Sequence, residues 1–319
     1  MPGRAAPAGG LLVIGDVVTD VVVRPRGQLS DGGPDGAAYI RVRAGGSGAN
    51  TACWAARFGA DVRFLGRAGA DGAGWHTEEL AGAGVRPHVR IDPDAPTAVV
   101  IALIDASGER SMLTDRGAGE RLGPGDWDDA LLDGVARLHV SGYTLFSGQG
   151  LALARSAMER AAGLGVAISV DPASTGPLRA FGVERFLAET ALAGLVFPNL
   201  VEALLLSGRS DARGAAETLS ERYGTAVVKV GPDGALLAGN GRILARSPGL
   251  GVTVTDSTGA GDAFAAGYLV ARMAGAGDEI SLVAGCRAGA EAVTTVGGRP
   301  QIRHSPDSTA NELYPIDTN

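Results

Sequence analysis

The residues most able to do chemistry form one unbroken string, Asp256-Ser257-Thr258-Gly259-Ala260-Gly261-Asp262-Ala263-Phe264. It follows a strand-like stretch at 252–254 and runs into an apolar helical pattern over 263–273, so a glycine-rich turn opens a helix. Glycines at 259 and 261 let backbone come close to a ligand. The N–H groups of Ala260, Gly261 and Asp262 would lie at the helix start without internal acceptors, and with the helix dipole they make a site for an anion. A carboxylate at 262 would repel a phosphate held there unless it had a task of its own. Taking the proton of an attacking hydroxyl is such a task, with the amides holding the charge of the transferring group. The plainer reading is a glycine turn with Asp262 as a helix-capping acid.

A second constellation comes early: Gly45-Gly46-Ser47-Gly48-Ala49-Asn50-Thr51-Ala52, then Gly59, then 66–74, Gly-Arg-Ala-Gly-Ala-Asp-Gly-Ala-Gly. A third is Asn199-Leu200-Val201-Glu202, which also has the form of a helix cap with its capping box. Lys229 is the sole lysine and precedes Val230-Gly231-Pro232-Asp233-Gly234. A Gly-x-x-x-x-Gly-Lys-Ser/Thr loop is absent, and Gly15-Asp16 after the first apolar run does not make a dinucleotide fingerprint. The four histidines are scattered without zinc spacing.

The elements that must position these groups are short apolar runs alternating with Ala/Leu-rich segments. Strands are expected at 11–14 (continuing into 17–23), 62–65, 138–141, 167–171, 195–197 and 226–230. Helices are expected at 51–58, 74–83, 151–163, 183–188 and 212–223. This alternation implies βαβ units and a mostly parallel sheet covered on both faces, an α/β fold. Two regions break the rhythm: 19–43, around the Gly/Pro/Asp-rich 27–36, and 97–114, which reads as a hairpin turning at 105–109. A small β-sheet lid explains both. The expected organisation is a core of 1–18, 44–96 and 116–319, a lid of 19–43 and 97–115, and a polar tail from 305.

With 45% hydrophobic residues the chain can bury a large core, and a net charge of −7 speaks against nucleic-acid partners and anionic membrane surfaces. Cys53 and Cys286 have no metal or disulfide pattern, which fits a reducing cytoplasm. No apolar run is long enough for a membrane helix, and the first ten residues lack the apolar stretch of a signal peptide.

The three motifs together resemble the signatures of the ribokinase-like carbohydrate kinases, the PfkB family, over about residues 11–303. The resemblance implies a three-layer α/β/α core with a β lid, and transfer of the γ-phosphoryl group of ATP to a hydroxymethyl group of a small sugar or nucleoside. It makes Asp262 the catalytic base and Gly259, Ala260 and Gly261 the anion hole. Asp20, Gly46 and Asn50 would bind substrate, with Asp16 ranked lower. Asn199, Lys229, Gly231 and Gly234 would meet ATP, and Asn199 and Glu202 would place Mg2+ through water. Asp256, Thr258, Ala292 and Gly297 match a K+ site of some members, and a homodimer through the lid is implied for similar proteins. Ribokinases proper often carry Asn where Val18 stands, Glu where Ser141 stands and Lys where Ser47 stands. With Tyr143 and Phe146 as an apolar wall, this leans slightly toward a nucleoside, pseudouridine included, over free ribose. The alternatives are a phosphosugar acceptor, for which Arg41, Arg43 and Arg116 could supply cations, and a catalytically silent nucleotide- or sugar-binding regulator.

Overall fold

The computed structural model describes residues 9–25, 37–104 and 110–301. The turn segments at 27–36 and 105–109 and the tail from 305 therefore lie outside the described residues. The strands are β1 (Gly10–Ile14), β2 (Val18–Pro25), β3 (Ala38–Gly45), β4 (Val62–Gly69), β5 (Arg86–Asp92), β6 (Ala98–Ile104), β7 (Arg110–Asp115), β8 (Val135–Ser141), β9 (Ala167–Asp171), β10 (Leu195–Val196), β11 (Thr225–Lys229), β12 (Ala235–Gly239) and β13 (Arg242–Ser247). The helices are α1 (Ser47–Arg57), α2 (Ala73–Gly82), α3 (Gly142–Leu145), α4 (Gly148–Gly163), α5 (Thr175–Phe181), α6 (Val183–Glu189), α7 (Leu200–Ser207), α8 (Ala212–Tyr223), α9 (Ala260–Met273) and α10 (Asp278–Ala292).

Nine strands form one sheet in the order β13-β12-β11-β10-β9-β8-β1-β4-β5. All neighbours from β11 to β5 are parallel, and β12 and β13 extend the edge antiparallel. β1 explains the layering. Its side chains alternate across the sheet, and all five residues are buried. Leu11 and Val13 enter a core shared with α1, α2, α9 and α10, whereas Leu12 and Ile14 enter one shared with α4 to α8. Helix starts follow the local chemistry: Ser147 caps α4 by accepting from Gly150 N at 3.0 Å, and Asp211 caps α8 by accepting from Gly214 N at 2.9 Å.

The second sheet has the order β3-β2-β6-β7. The sequence suggests that 17–23 continues the first strand. Instead the chain turns at Gly15-Asp16, and β2 pairs with β3 and β6 away from the main sheet. Two strand regions were not anticipated. β5 mixes Arg86, His88 and Arg90 with apolar residues, as an edge strand can. The hairpin β12–β13 turns on Asn240-Gly241, both at positive φ (49° and 79°), a signal that the sequence does carry.

Candidate active site

The candidate groups meet at the carboxyl ends of the parallel strands, where open α/β sheets hold ligands. Asp16 follows β1, Ser141 ends β8, Asp171 ends β9 and Lys229 ends β11. The amino end of α9 faces them. Gly259 precedes that helix at φ 74°, and a β-carbon there would stand 2.5 Å from Gly298 Cα and O. Only glycine suits both the angle and the contact. Among the described residues the N–H groups of Gly261 and Asp262 have no protein acceptor, and Ala260 N reaches Ser257 O only at 3.4 Å. These donors remain available to an anion, as the sequence suggests.

Asp262 lies in the first turn of α9. Its Oδ1 accepts from Ser47 Oγ at 2.7 Å and its Oδ2 from Asn50 Nδ2 at 2.9 Å. Ser47 and Asn50 are three residues apart on α1, so they share a face. Burial pushes the Asp262 carboxyl up to about 7; the bonds from Asn50 and Ser47 restrain the rise, and Asp171 and Asp16 add to it. Asn50, expected at a substrate hydroxyl, thus holds the carboxylate, and its own Oδ1 is buried without a partner. Ser47 stood in the sequence only as the place of an absent lysine; its bond to Asp262 spans 215 positions and leaves no local trace.

Asp16, ranked among substrate contacts, has both oxygens engaged at the start of α1. They accept from Ser47 N at 3.0 Å and Gly48 N at 3.1 Å, with Ser141 Oγ at 3.4 Å. The residue before that helix, Gly46, has φ 99° and no capping side chain, so Asp16 supplies the cap from another segment. The carboxylate of Asp20, on β2, accepts no hydrogen bond among the described residues. Burial, with Asp16 and to a lesser degree Asp256 beside it, raises this carboxyl to about 6 against the opposing charge of Arg299. Tyr143 borders the same acids: burial and then Asp16 push its phenol up to about 12, against a bond to Ser174. Phe146 meets Tyr143 edge-on at 6.2 Å and Phe181 at 5.6 Å, half-buried against the core.

On the other side of α9, Lys229 Nζ donates to Asp171 Oδ2 at 2.6 Å and stands 3.2 Å from where a Gly261 β-carbon would be. Burial works against the ammonium, but Asp171 and Glu202 outweigh it and hold its pKa above the ordinary value. Asp171 was not singled out from the sequence, although an acid closing a buried apolar strand is a legible sign. Asn199 and Glu202 form the full capping box of α7: Glu202 Oε2 accepts from Asn199 N at 2.9 Å, and Asn199 Oδ1 from Glu202 N at 2.9 Å. Burial, then Asp171, raise Glu202 to about 7, against Lys229 and Asn199. Gly231 and Gly234 (φ 60° and 95°) lie in the turn between β11 and β12.

Asp256 organises the loop before α9. Its Oδ1 accepts from Thr258 N at 2.8 Å and its Oδ2 from Gly297 N at 2.9 Å. Ala292 ends α10 nearby, and the carbonyl of Val293 accepts from Thr255 N at 2.8 Å. Arg43 reaches down from β3 to donate to Val296 O at 2.9 Å.

A sequence profile described as "pfkB family carbohydrate kinase" matches residues 9–304. An ATP-dependent ribose-1-phosphate kinase of Halopiger xanaduensis is 31% identical over 283 residues, covering 86% of this chain and 88% of the relative. The adenosine kinase of Sinorhizobium meliloti shares the fold at a TM-score of 0.82 with 24% identity, over 92% of this chain and 96% of that one. An aminoimidazole riboside kinase of Salmonella enterica, solved with aminoimidazole riboside and an ATP analogue, has a TM-score of 0.74 with 25% identity, over 91% and 95%. The chain belongs to the pfkB family of carbohydrate kinases, and it is a sugar or nucleoside kinase.

Proposed function

We propose that this kinase transfers the γ-phosphoryl group of ATP to a hydroxymethyl group of a small sugar or nucleoside, with Asp262 as general base. One observation supports this above the others: a buried carboxyl, held by Ser47 and Asn50, lies in the first helical turn beside the amides of Gly261 and Asp262, which have no acceptor among the described residues. The acceptor hydroxyl donates to Asp262 and loses its proton to that carboxylate as its oxygen bonds to the γ-phosphorus. The bond to the β–γ bridging oxygen breaks, and its electrons leave with ADP. Charge on the transferring group falls on the amides of Ala260, Gly261 and Asp262, with the Lys229 ammonium close by. Ser47 and Asn50 keep the carboxylate aimed. Asp20, with its acceptors unused, takes substrate hydroxyls beside Gly46.

Asn199 and Glu202 suit Mg2+ held through water, because both Glu202 oxygens already serve Asn199. Bound there, the ion would offset phosphate charge. The loop of Asp256, Thr258, Ala292 and Gly297 is our K+ site, and its test is the rate in K+ against tetramethylammonium. Val18, 7% exposed, and Tyr143 favour a nucleoside such as pseudouridine; the riboside kinase neighbour points the same way. A phosphosugar is the second reading, favoured by the ribose-1-phosphate kinase relative. Of the cations first considered for it, Arg43 and Arg116 are bonded to the carbonyls of Val296 and Tyr143. A silent regulator would have no use for Asp262.

The deciding experiment is ADP release over ribose, fructose, inositol, adenosine, pseudouridine, aminoimidazole riboside and ribose 1-phosphate. Turnover with a riboside supports the first reading, turnover only with a phosphosugar replaces it with the second, and ATP binding without turnover on any acceptor supports the regulator. The exposed apolar residues of the small sheet, Tyr39, Ile40, Val42, Met112 and Leu113, support a homodimer through the lid. Ile40→Asp should then halve the mass seen by sedimentation. Both cysteines are free and buried, which suits the reducing cytoplasm we assign.

A further inference from the structure

A cavity of about 310 Å³ lies at the opposite end of the parallel strands from Asp262, among the amino ends of β8, β9 and β11. Arg137, Tyr268 and Arg272 bring polar groups to it, and Val166, Leu192 and Leu195 give it apolar walls. The Arg137 side chain makes no hydrogen bond or ion pair among the described residues, and its Nε is buried. The Tyr268 hydroxyl likewise has no hydrogen bond among them. Arg272 commits Nη1 to Ala276 O and Asp278 Oδ1, each at 3.0 Å, which leaves Nη2 without an acceptor among the described residues. Burial lowers the pKa of Arg137; Tyr268 opposes the change and Arg272 adds to it.

Holding the buried Nε of a half-buried guanidinium unpaired beside another cation is unfavourable unless something else completes it. No acidic residue among the described ones pairs with Arg137. We propose that this cavity binds a small phosphomonoester, its phosphate held by Arg137 and Arg272 with the Tyr268 hydroxyl as a further donor. Guanidinium forks match phosphate oxygens in pairs. The apolar walls accept a short carbon body, and the volume is at the small end of ligand cavities. The site is separate from the cleft at Asp262. The same helix joins them: Arg272 is ten positions, about 15 Å of helical rise, beyond Asp262 on α9. An occupant would therefore rest on the helix that carries the carboxylate.

The test uses the full chain. Crystals soaked in tungstate, a phosphate analogue with a strong anomalous signal, resolve the two ends of α9 in space. Melting temperatures with glycerol 3-phosphate or inorganic phosphate read binding in solution. We expect a tungstate peak at Arg137 and Arg272, and glycerol 3-phosphate stabilising at concentrations at least 10-fold below inorganic phosphate. Arg137→Met should abolish that peak, keep any peak at the amino end of α9, and melt no lower than the wild type without ligand. Arg272→Gln should weaken binding at least 10-fold. No peak in the cavity, equal potency of the two phosphates, or an Arg137→Met variant that melts lower and binds unchanged overturns the proposal. None of these readouts needs turnover, so failure here leaves the kinase reading standing, and the reverse.

Discussion

A general base works only as an anion, so the raised pKa of Asp262 fixes the direction of the pH response. With that carboxyl near 7, kcat/KM should climb about tenfold per pH unit below 7 and level off above it. Ser47→Ala removes a donor that favours the anion, and the midpoint should move to higher pH. Asp262→Asn should lower kcat by at least about 10²-fold with little change in ATP affinity; near-normal turnover would end the base assignment. The same group predicts stability. Its folded pKa exceeds the unfolded one, so its contribution is full below about 4 and is lost as pH rises through 7. Asp262→Asn should lack that loss and gain melting temperature relative to wild type from pH 4 to pH 8. At this scale the sequence showed which residue types could act, since the string around Asp262 is local. Ser47, Asp16 and Asp171 acquire their partners across long stretches of chain, and no spacing announces that.

Side-chain hydrogen bonds from described residues tie the small sheet to the core. Thr19 Oγ1 meets His76 Nε2 at 3.0 Å, Arg43 donates to Val296 O, and Arg299 Nη2 donates to Gly45 O at 2.9 Å. Arg43→Ala should loosen this attachment, raising the acceptor KM several-fold while kcat changes less; equal loss of both would make Arg43 part of the chemistry instead. Burial, with Arg299 adding to it, depresses His76 to about 4, so the imidazole is neutral. Stability from it is full above about 6.5 and is lost as pH falls through 4. His76→Gln, which keeps a partner for Thr19, should flatten the fall in melting temperature between pH 6.5 and 4. Element types were legible wherever apolar period and length agreed, as in α8 and β9. The departure of β2 into its own sheet was not, because its alternating pattern suits either sheet and only the Asp16 turn decides.

Across the whole molecule, the alternation of strands and helices was enough to announce a covered parallel sheet. The order of its strands depends on contacts far apart in the chain. The edge strands β5 and β13 escaped because they are half-polar and lack the apolar run that marks β1, and β12 escaped because Ala-Leu-Leu-Ala-Gly has no β-branched residue and reads like the Ala/Leu-rich helices. One feature of composition then acquires a use. Lys229 carries the chain's sole ε-amine and stands beside Asp171, at the foot of the cleft. An adenine-bearing aldehyde would therefore find one ε-amine, and because that amine is held as an ammonium against Asp171, Schiff-base formation should quicken as pH rises and slow when nucleotide is bound.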